Sequence, residues 1–192
     1  IIFGTCAGGA VYSPALTDFI FMNEENAFMF VTGPEVVKAV TNEEVTFYDL
    51  GGSEVHSTVS GVCHFVGATE EETLEQVKQL LSYLPQNNLD DPPYVNQFKE
   101  SDQNKLEEII PIAENEPYNM REIVETILDR SSFFEVQPSW AKNIIVGFGR
   151  LAGHSVGMIA NQPLFLGGAI DHDEADKASR FIRFCDSFNI PI

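Results

Sequence analysis

Cations are scarce in this chain: 11 Lys and Arg stand against 29 Asp and Glu in 192 residues, a formal charge of -18 with histidine neutral. A partner that presents phosphate in bulk needs Lys and Arg to displace its counterions. The composition therefore argues against nucleic acid and anionic membranes, and any bound phosphate must be held by local groups. Cysteine is sparse too. Cys6, Cys63 and Cys185 are an odd number at wide spacing without a Cys-x-x-Cys pair, a pattern with no metal or dithiol signature that suits a reducing compartment. No run approaches the roughly 20 apolar residues of a membrane span. Neither Gly-x-x-x-x-Gly-Lys-Ser/Thr nor Gly-x-Gly-x-x-Gly occurs, so both common phosphate-cradling signatures are missing.

What is present is a globular composition, 44% hydrophobic and 21% charged, enough for one core or two small ones. Short apolar runs alternate with short amphipathic ones, which predicts α/β layering. Residues 1–3, 19–22 and 28–31 read as buried strands, 10–16 as a short helix, and 35–40 as a helix started by Pro34. Thr69 followed by Glu72 predicts a capping box for a helix over 70–83, with Leu74, Val77, Leu80 and Leu81 on its inner face. The stretch 93–116 is acidic and proline-broken and reads as a linker between a first lobe, 1–92, and a second, 117–192. In the second lobe Asn119 caps a helix over 120–129, residues 133–136 read as extended, and 143–150 with 155–159 form a hairpin. Asp173 with Asp176 is expected to cap a last helix reaching Phe188, and 190–192 to open a further strand. With no initial Met and strand-like Ile at both ends, the chain is expected to be an internal piece of a longer protein.

The opening run Gly4-Thr5-Cys6-Ala7-Gly8-Gly9-Ala10 carries the most chemistry. A strand that enters a glycine turn and then a helix converges backbone N–H groups, the geometry of an oxyanion hole. A purely steric turn explains the same glycines. Cys6 also occupies the centre of a Gly-x-nucleophile-x-Gly pattern, which would need a base from His56, His64, His154 or His172, and spacing selects none of them. Around this turn Ala7, Ala10 and Tyr12 are candidate substrate contacts. Lys142 and Arg150 are candidate phosphate contacts, because cations are few and these flank the first strand of the second lobe. His56 lies beside a second pair, Gly51-Gly52, and reads as packed or surface. Trp140 and Phe133-Phe134 read as core. The cluster Asp171, His172, Asp173, Glu174 and Asp176 reads as helix-start acidity rather than a metal site.

The runs Cys6-Ala7-Gly8-Gly9-Ala10-Val11-Tyr12-Ser13-Pro14, Val31-Thr32-Gly33-Pro34-Glu35, Asp49-Leu50-Gly51-Gly52-Ser53-Glu54-Val55-His56 and Asp176-Lys177-Ala178-Ser179-Arg180-Phe181 closely resemble the carboxyltransferase β chains of biotin-dependent acyl-CoA carboxylases. The resemblance is strongest to those acting on propionyl-CoA. It implies a crotonase-like (ClpP/crotonase) α/β fold in two related lobes. It implies carboxyl transfer from carboxybiotin to the α-carbon of a short acyl-CoA, propionyl-CoA to methylmalonyl-CoA, with Gly8 and Gly9 as the oxyanion hole for the thioester and the freed biotin as base. The same resemblance implies no metal in this chain and a partner subunit bearing biotin carboxylase and biotin carrier. It implies a hexamer built from dimers, in the bacterial cytoplasm or the mitochondrial matrix. A second glycine hole, for the biotin carbonyl, is expected shortly after Ile192. The α chains of sodium-pumping methylmalonyl-CoA decarboxylases share these motifs, so the reverse direction stays open, as does an inactive assembly module.

Overall fold

The computed structural model describes residues 1–101, 106–113 and 116–192; parts of the expected linker, 102–105 and 114–115, lie outside the described residues. The chain divides into two compact units, Ile1–Lys78 and Gln79–Ile192.

The first unit runs β1 (Thr5–Ala7), a 3-10 turn (Gly8–Val11), α1 (Tyr12–Ala15), β2 (Phe21–Asn23), β3 (Phe28–Phe30), α2 (Pro34–Thr41), α3 (Phe47–Gly51), α4 (Ser53–Thr58), β4 (Phe65–Gly67) and most of α5 (Glu70–Leu81), whose last three residues belong to the second unit. Strands β1 and β3 pair in parallel with Cys6 opposite Met29, and β2 and β4 pair in parallel with Met22 opposite Val66. Parallel strands are covered on both faces, which is why all three residues of β2, Phe21, Met22 and the polar Asn23, are buried. Ile2, Val11, Ile20, Met22, Ala27, Met29 and Cys63 form the core, with Cys6 against its edge.

Two expectations shift here. The strand expected over 1–3 begins four residues later. Ile1 and Phe3 are exposed and only Ile2 bridges, to Met22, because Gly4 with φ +86° turns the chain before β1. The inner face of α5 is made by Thr73 and Leu80, whereas Leu74 and Leu81 face outward. Thr69 does cap the helix, its hydroxyl accepting from Glu72 N at 3.2 Å while Glu72 Oε2 accepts from Ala68 N at 2.8 Å.

The second unit contains α6 (Leu106–Ile109), α7 (Met120–Ile127), β5 (Phe134–Val136), β6 (Ile144–Leu151), β7 (His154–Asn161) and α8 (His172–Ser187). The last three strands make one antiparallel sheet in the order β5-β6-β7. Ala152 and Gly153, at φ +50° and +81°, form the two-residue turn that matches strand twist. Asp129 holds this turn, accepting from Ala152 N at 3.0 Å and Gly153 N at 2.8 Å. Helix α8 packs Phe181, Phe184 and Cys185 onto the sheet, Phe181 lying 5.0 Å from the Phe148 ring. Its cap is Asp171 with Glu174, not Asp173 with Asp176: Asp171 accepts from Asp173 N at 2.9 Å and Glu174 from Asp171 N at 3.0 Å. Residues 190–192, expected to open a strand, do not form one, though Pro191 O accepts from Gly157 N at 2.7 Å. No helix among the described residues is long and apolar enough to cross a membrane.

Candidate functional site

The glycine turn sits where β1 ends. A 3-10 turn leaves its first N–H groups without partners inside the turn. Gly8 N donates to Val31 O, just beyond β3, at 3.1 Å, so of the two amides expected to face a ligand the first already has an acceptor. The Gly9 N–H is the one the turn's own pattern leaves open. Gly8 adopts φ +62°, a left-handed conformation that L side chains enter at a cost. Gly9 does not, and a Cβ built on it would have nothing within 4 Å. Neither conformation nor packing within the described chain therefore requires glycine at position 9. Ala7, Gly9, Ala10 and Tyr12 are exposed around the turn, and Tyr12 is 57% accessible.

The Cys6 thiol donates to Ala10 O at 3.5 Å, and among the described residues it bonds no histidine ring. His56 Nε2 lies 2.7 Å from Met29 O and Nδ1 2.8 Å from Ser60 Oγ. His64 is buried, its Nδ1 accepting from Ile20 N at 3.1 Å. The His154 ring lies 4.6 Å from Tyr94, and His172 is exposed beside Asp171 and Asp173. The nucleophile–base geometry that a cysteine hydrolase needs is not assembled. Cys63 and Cys185 are inert thiols, burial pushing each up to about 12.

The two candidate phosphate contacts differ. Arg150 gives Nη1 to Pro93 O at 3.2 Å and Ser155 Oγ at 3.1 Å, gives Nη2 to Ser82 O at 2.6 Å, and stacks 4.8 Å over Tyr83. That is a cation tying loops to a hairpin. Lys142 is exposed, its ammonium 5.9 Å from the Phe165 ring centroid. Trp140 and the Phe133-Phe134 pair are half-buried. In the Asp171 cluster, bonds to the Glu174 side chain and to backbone N–H groups hold the Asp171 carboxyl below its ordinary range.

Sequence reasoning missed Lys177. It is 2% exposed, and its ammonium donates to four carbonyls: Gln137 and Ile144 at 2.9 Å, Trp140 at 2.8 Å and Ala141 at 3.3 Å. Desolvation lowers its pKa to about 8, against the pull of Glu135 and Glu174. Glu135 in turn is raised, since its burial outweighs contact with the Arg121 guanidinium. The signal was available: a lone Lys on the apolar face of a helix, four residues before Phe181. Also missed were α3 and α4. Their signal was Thr46 before Asp49, and Thr46 Oγ1 indeed accepts from Asp49 N at 3.1 Å.

A mixed α/β chain with this turn belongs to a defined class. The carboxyl transferase domain model matches residues 1–192, and the chain belongs to that family. It is 55% identical over its whole length to a propionyl-CoA carboxylase carboxyltransferase subunit of Haloferax mediterranei, covering 37% of that protein. It is 50% identical to a methylmalonyl-CoA decarboxylase subunit alpha of Veillonella parvula, covering 38%. The solved transcarboxylase 12S, described as a hexamer assembly with hydrolysed methylmalonyl-coenzyme A bound, superposes on 98% of this chain with TM-score 0.92 at 45% identity, and the chain covers 37% of it. The fold is thus the crotonase-like carboxyltransferase fold expected from the resemblance. The chain spans little more than a third of the relatives it matches.

Proposed function

We propose that the protein carrying this chain transfers a carboxyl group from carboxybiotin to the α-carbon of propionyl-CoA, and that the Gly8–Gly9 turn stabilises the enolate formed from the thioester. The observation that supports this reading is the open Gly9: a glycine that neither φ nor packing demands, at an exposed amide. Close approach of an external carbonyl explains why nothing larger stands there. Gly9 N–H is the donor, and Gly8, engaged by Val31, supplies the left-handed bend that presents it. Ala7, Ala10 and Tyr12 border the thioester.

Carboxybiotin, on a partner subunit's carrier, supplies the carboxyl group, and no residue of this chain is assigned to hold it. The donor set fits that division. An uncharged amide suits a carbonyl oxygen that gains charge during reaction, and the turn adds no acid or base of its own. Lys142 is kept as a proposed contact for CoA phosphates and Arg150 is not. Residues 1–92 and 117–192 are proposed as portions of two related lobes joined across 93–116, in a hexameric assembly of the cytoplasm or mitochondrial matrix.

The 50% identity to a decarboxylase subunit favours a second reading, the same enolate chemistry run toward decarboxylation. Assay of the full-length protein with its biotin-bearing partner separates them. ATP-dependent carboxylation of propionyl-CoA supports the first reading, and sodium-stimulated decarboxylation of methylmalonyl-CoA without ATP supports the second. Neither activity in a folded, biotin-loaded complex sinks both. The 192-residue piece alone is expected to show no turnover.

A further inference from the structure

Three features of the first unit converge on one backbone group, the carbonyl of Met29. His56 Nε2 lies 2.7 Å from it. A carbonyl only accepts, so Nε2 carries the proton, and Nδ1, at 2.8 Å from Ser60 Oγ, is free to accept the Ser60 hydroxyl proton. Gly51 lies against the same group: a Cβ there would stand 2.1 Å from Met29 O and 2.8 Å from Met29 C. Met29 is also the β3 residue in register with Cys6 of β1. Two residues further along, Val31 O accepts the Gly8 N–H at 3.1 Å, while at the other end of β3 Phe28 N donates to Gly4 O at 3.0 Å. His56 is itself anchored at both ends of its peptide, its N donating to Gly52 O at 3.2 Å and its O accepting from Cys63 N at 3.0 Å.

We propose that His56 is a positioning residue for the Gly8–Gly9 turn, holding β3 in place along its axis so that Val31 O fixes the Gly8 amide and, through it, the direction of the Gly9 N–H. The proposal rests on the reading of that turn as the thioester oxyanion hole. His56 touches no reacting atom. Its effect travels through a strand whose Met29 carbonyl meets both an imidazole bond and a glycine contact too close for any side chain. An oxyanion donor is sensitive to displacements well below the length of a bond, so loosening β3 should act on turnover more than on substrate binding.

The test uses the full-length carboxyltransferase with its biotin-bearing partner and two polar replacements. In His56→Gln the amide nitrogen stands near the Nε2 position and keeps the Met29 bond. In His56→Asn the amide oxygen stands near Nδ1 and accepts the Ser60 hydroxyl, so only the Ser60 bond is kept. The expected result is a fall in kcat of about tenfold for His56→Asn with KM for the acyl-CoA within about twofold, and near-normal kcat for His56→Gln. Amide hydrogen exchange over residues 4–12 should speed up in His56→Asn and not in His56→Gln. Equal kcat and equal exchange in the two variants overturn the proposal, as does a loss in both that tracks only a lowered thermal midpoint. The exchange readout stands apart from activity. If Gly9 proves dispensable for turnover, the oxyanion reading falls while the His56–β3–Gly8 linkage is still decided by exchange.

Discussion

Gly8-Gly9 and Gly51-Gly52 are the same dipeptide in opposite surroundings. A Cβ on Gly9 would meet nothing within 4 Å, whereas one on Gly51 would stand 2.1 Å from Met29 O and one on Gly52 2.8 Å from Tyr48 O. The first pair leaves a backbone amide facing outward from the fold, and the second lets a helix junction close onto a strand. Glycine at 51 is a requirement of the fold and glycine at 9 is not. The two pairs nonetheless act on one strand, since Gly51 abuts Met29 and Gly8 bonds Val31 two residues later. The same contrast of closed against open polar groups recurs in the second unit, where Lys177 has four carbonyl acceptors for three protons.

The strongest way to break the comparison is Gly51→Ala. The added methyl overlaps backbone, which no rotamer change relieves, and a loss on the order of 3 kcal/mol or more in unfolding free energy is expected. Denaturant unfolding of the full-length protein measures it, and a loss under about 1 kcal/mol would mean that α3 is free to move away from β3. Lys177→Met should cost about 2–4 kcal/mol, because carbonyls buried around the ammonium lose their donor. Its pH dependence has a definite sign. The folded pKa, about 8, lies below the ordinary 10.5, so between these values the unfolded chain holds the proton more tightly. Wild-type stability relative to Lys177→Met should therefore rise with pH across that window. A flat difference would show that the four carbonyls offset desolvation completely.

Local signals in the sequence were reliable where one residue decides one bond. Asn119, Thr69, Pro34 and the Ala152-Gly153 turn all stand at the ends they were expected to mark. Failures arose where a second partner, near or distant in sequence, decides. Residues 1–3 have a strand's composition, but β1 starts after Gly4, where Phe28, Met29 and Phe30 supply the partners. Asp173 and Asp171 are equally good caps by type, and the choice fell to Asp171 because Glu174 reaches back to its N–H. Arg150 and Lys142 are alike as scarce cations. Only the fold shows three oxygen acceptors and the Tyr83 ring gathered around the first. The glycine turn was legible as a place where amides converge, but the engagement of Gly8 by Val31 needed the β1–β3 register.

Gly9→Val probes the open end of the comparison. Unfolding stability should change by less than about 0.5 kcal/mol, since the side chain enters empty space, while kcat/KM for the acyl-CoA should fall about 100-fold or more as the thioester is displaced from the amide. Normal turnover would assign the turn a steric role only. Gly8→Ala separates conformation from approach. With φ +62° and nothing within 4 Å of a new Cβ, its whole cost is the left-handed backbone, about 1–2 kcal/mol in stability.

The smallest effect is expected at Cys6. Its thiol donates to the Ala10 carbonyl at 3.5 Å, a weak bond that an alanine gives up at little cost, and its side chain packs at the edge of the core rather than within it. Cys6→Ala should leave carboxyl transfer within about twofold of wild type and stability within about 1 kcal/mol. A nucleophilic thiol at the centre of Gly4-Thr5-Cys6-Ala7-Gly8 would instead lose all activity on that change. The substitution therefore divides a reaction run by a side chain from one run by the backbone beside it, because alanine removes the sulfur and leaves the amides of Gly8 and Gly9 where β3 holds them.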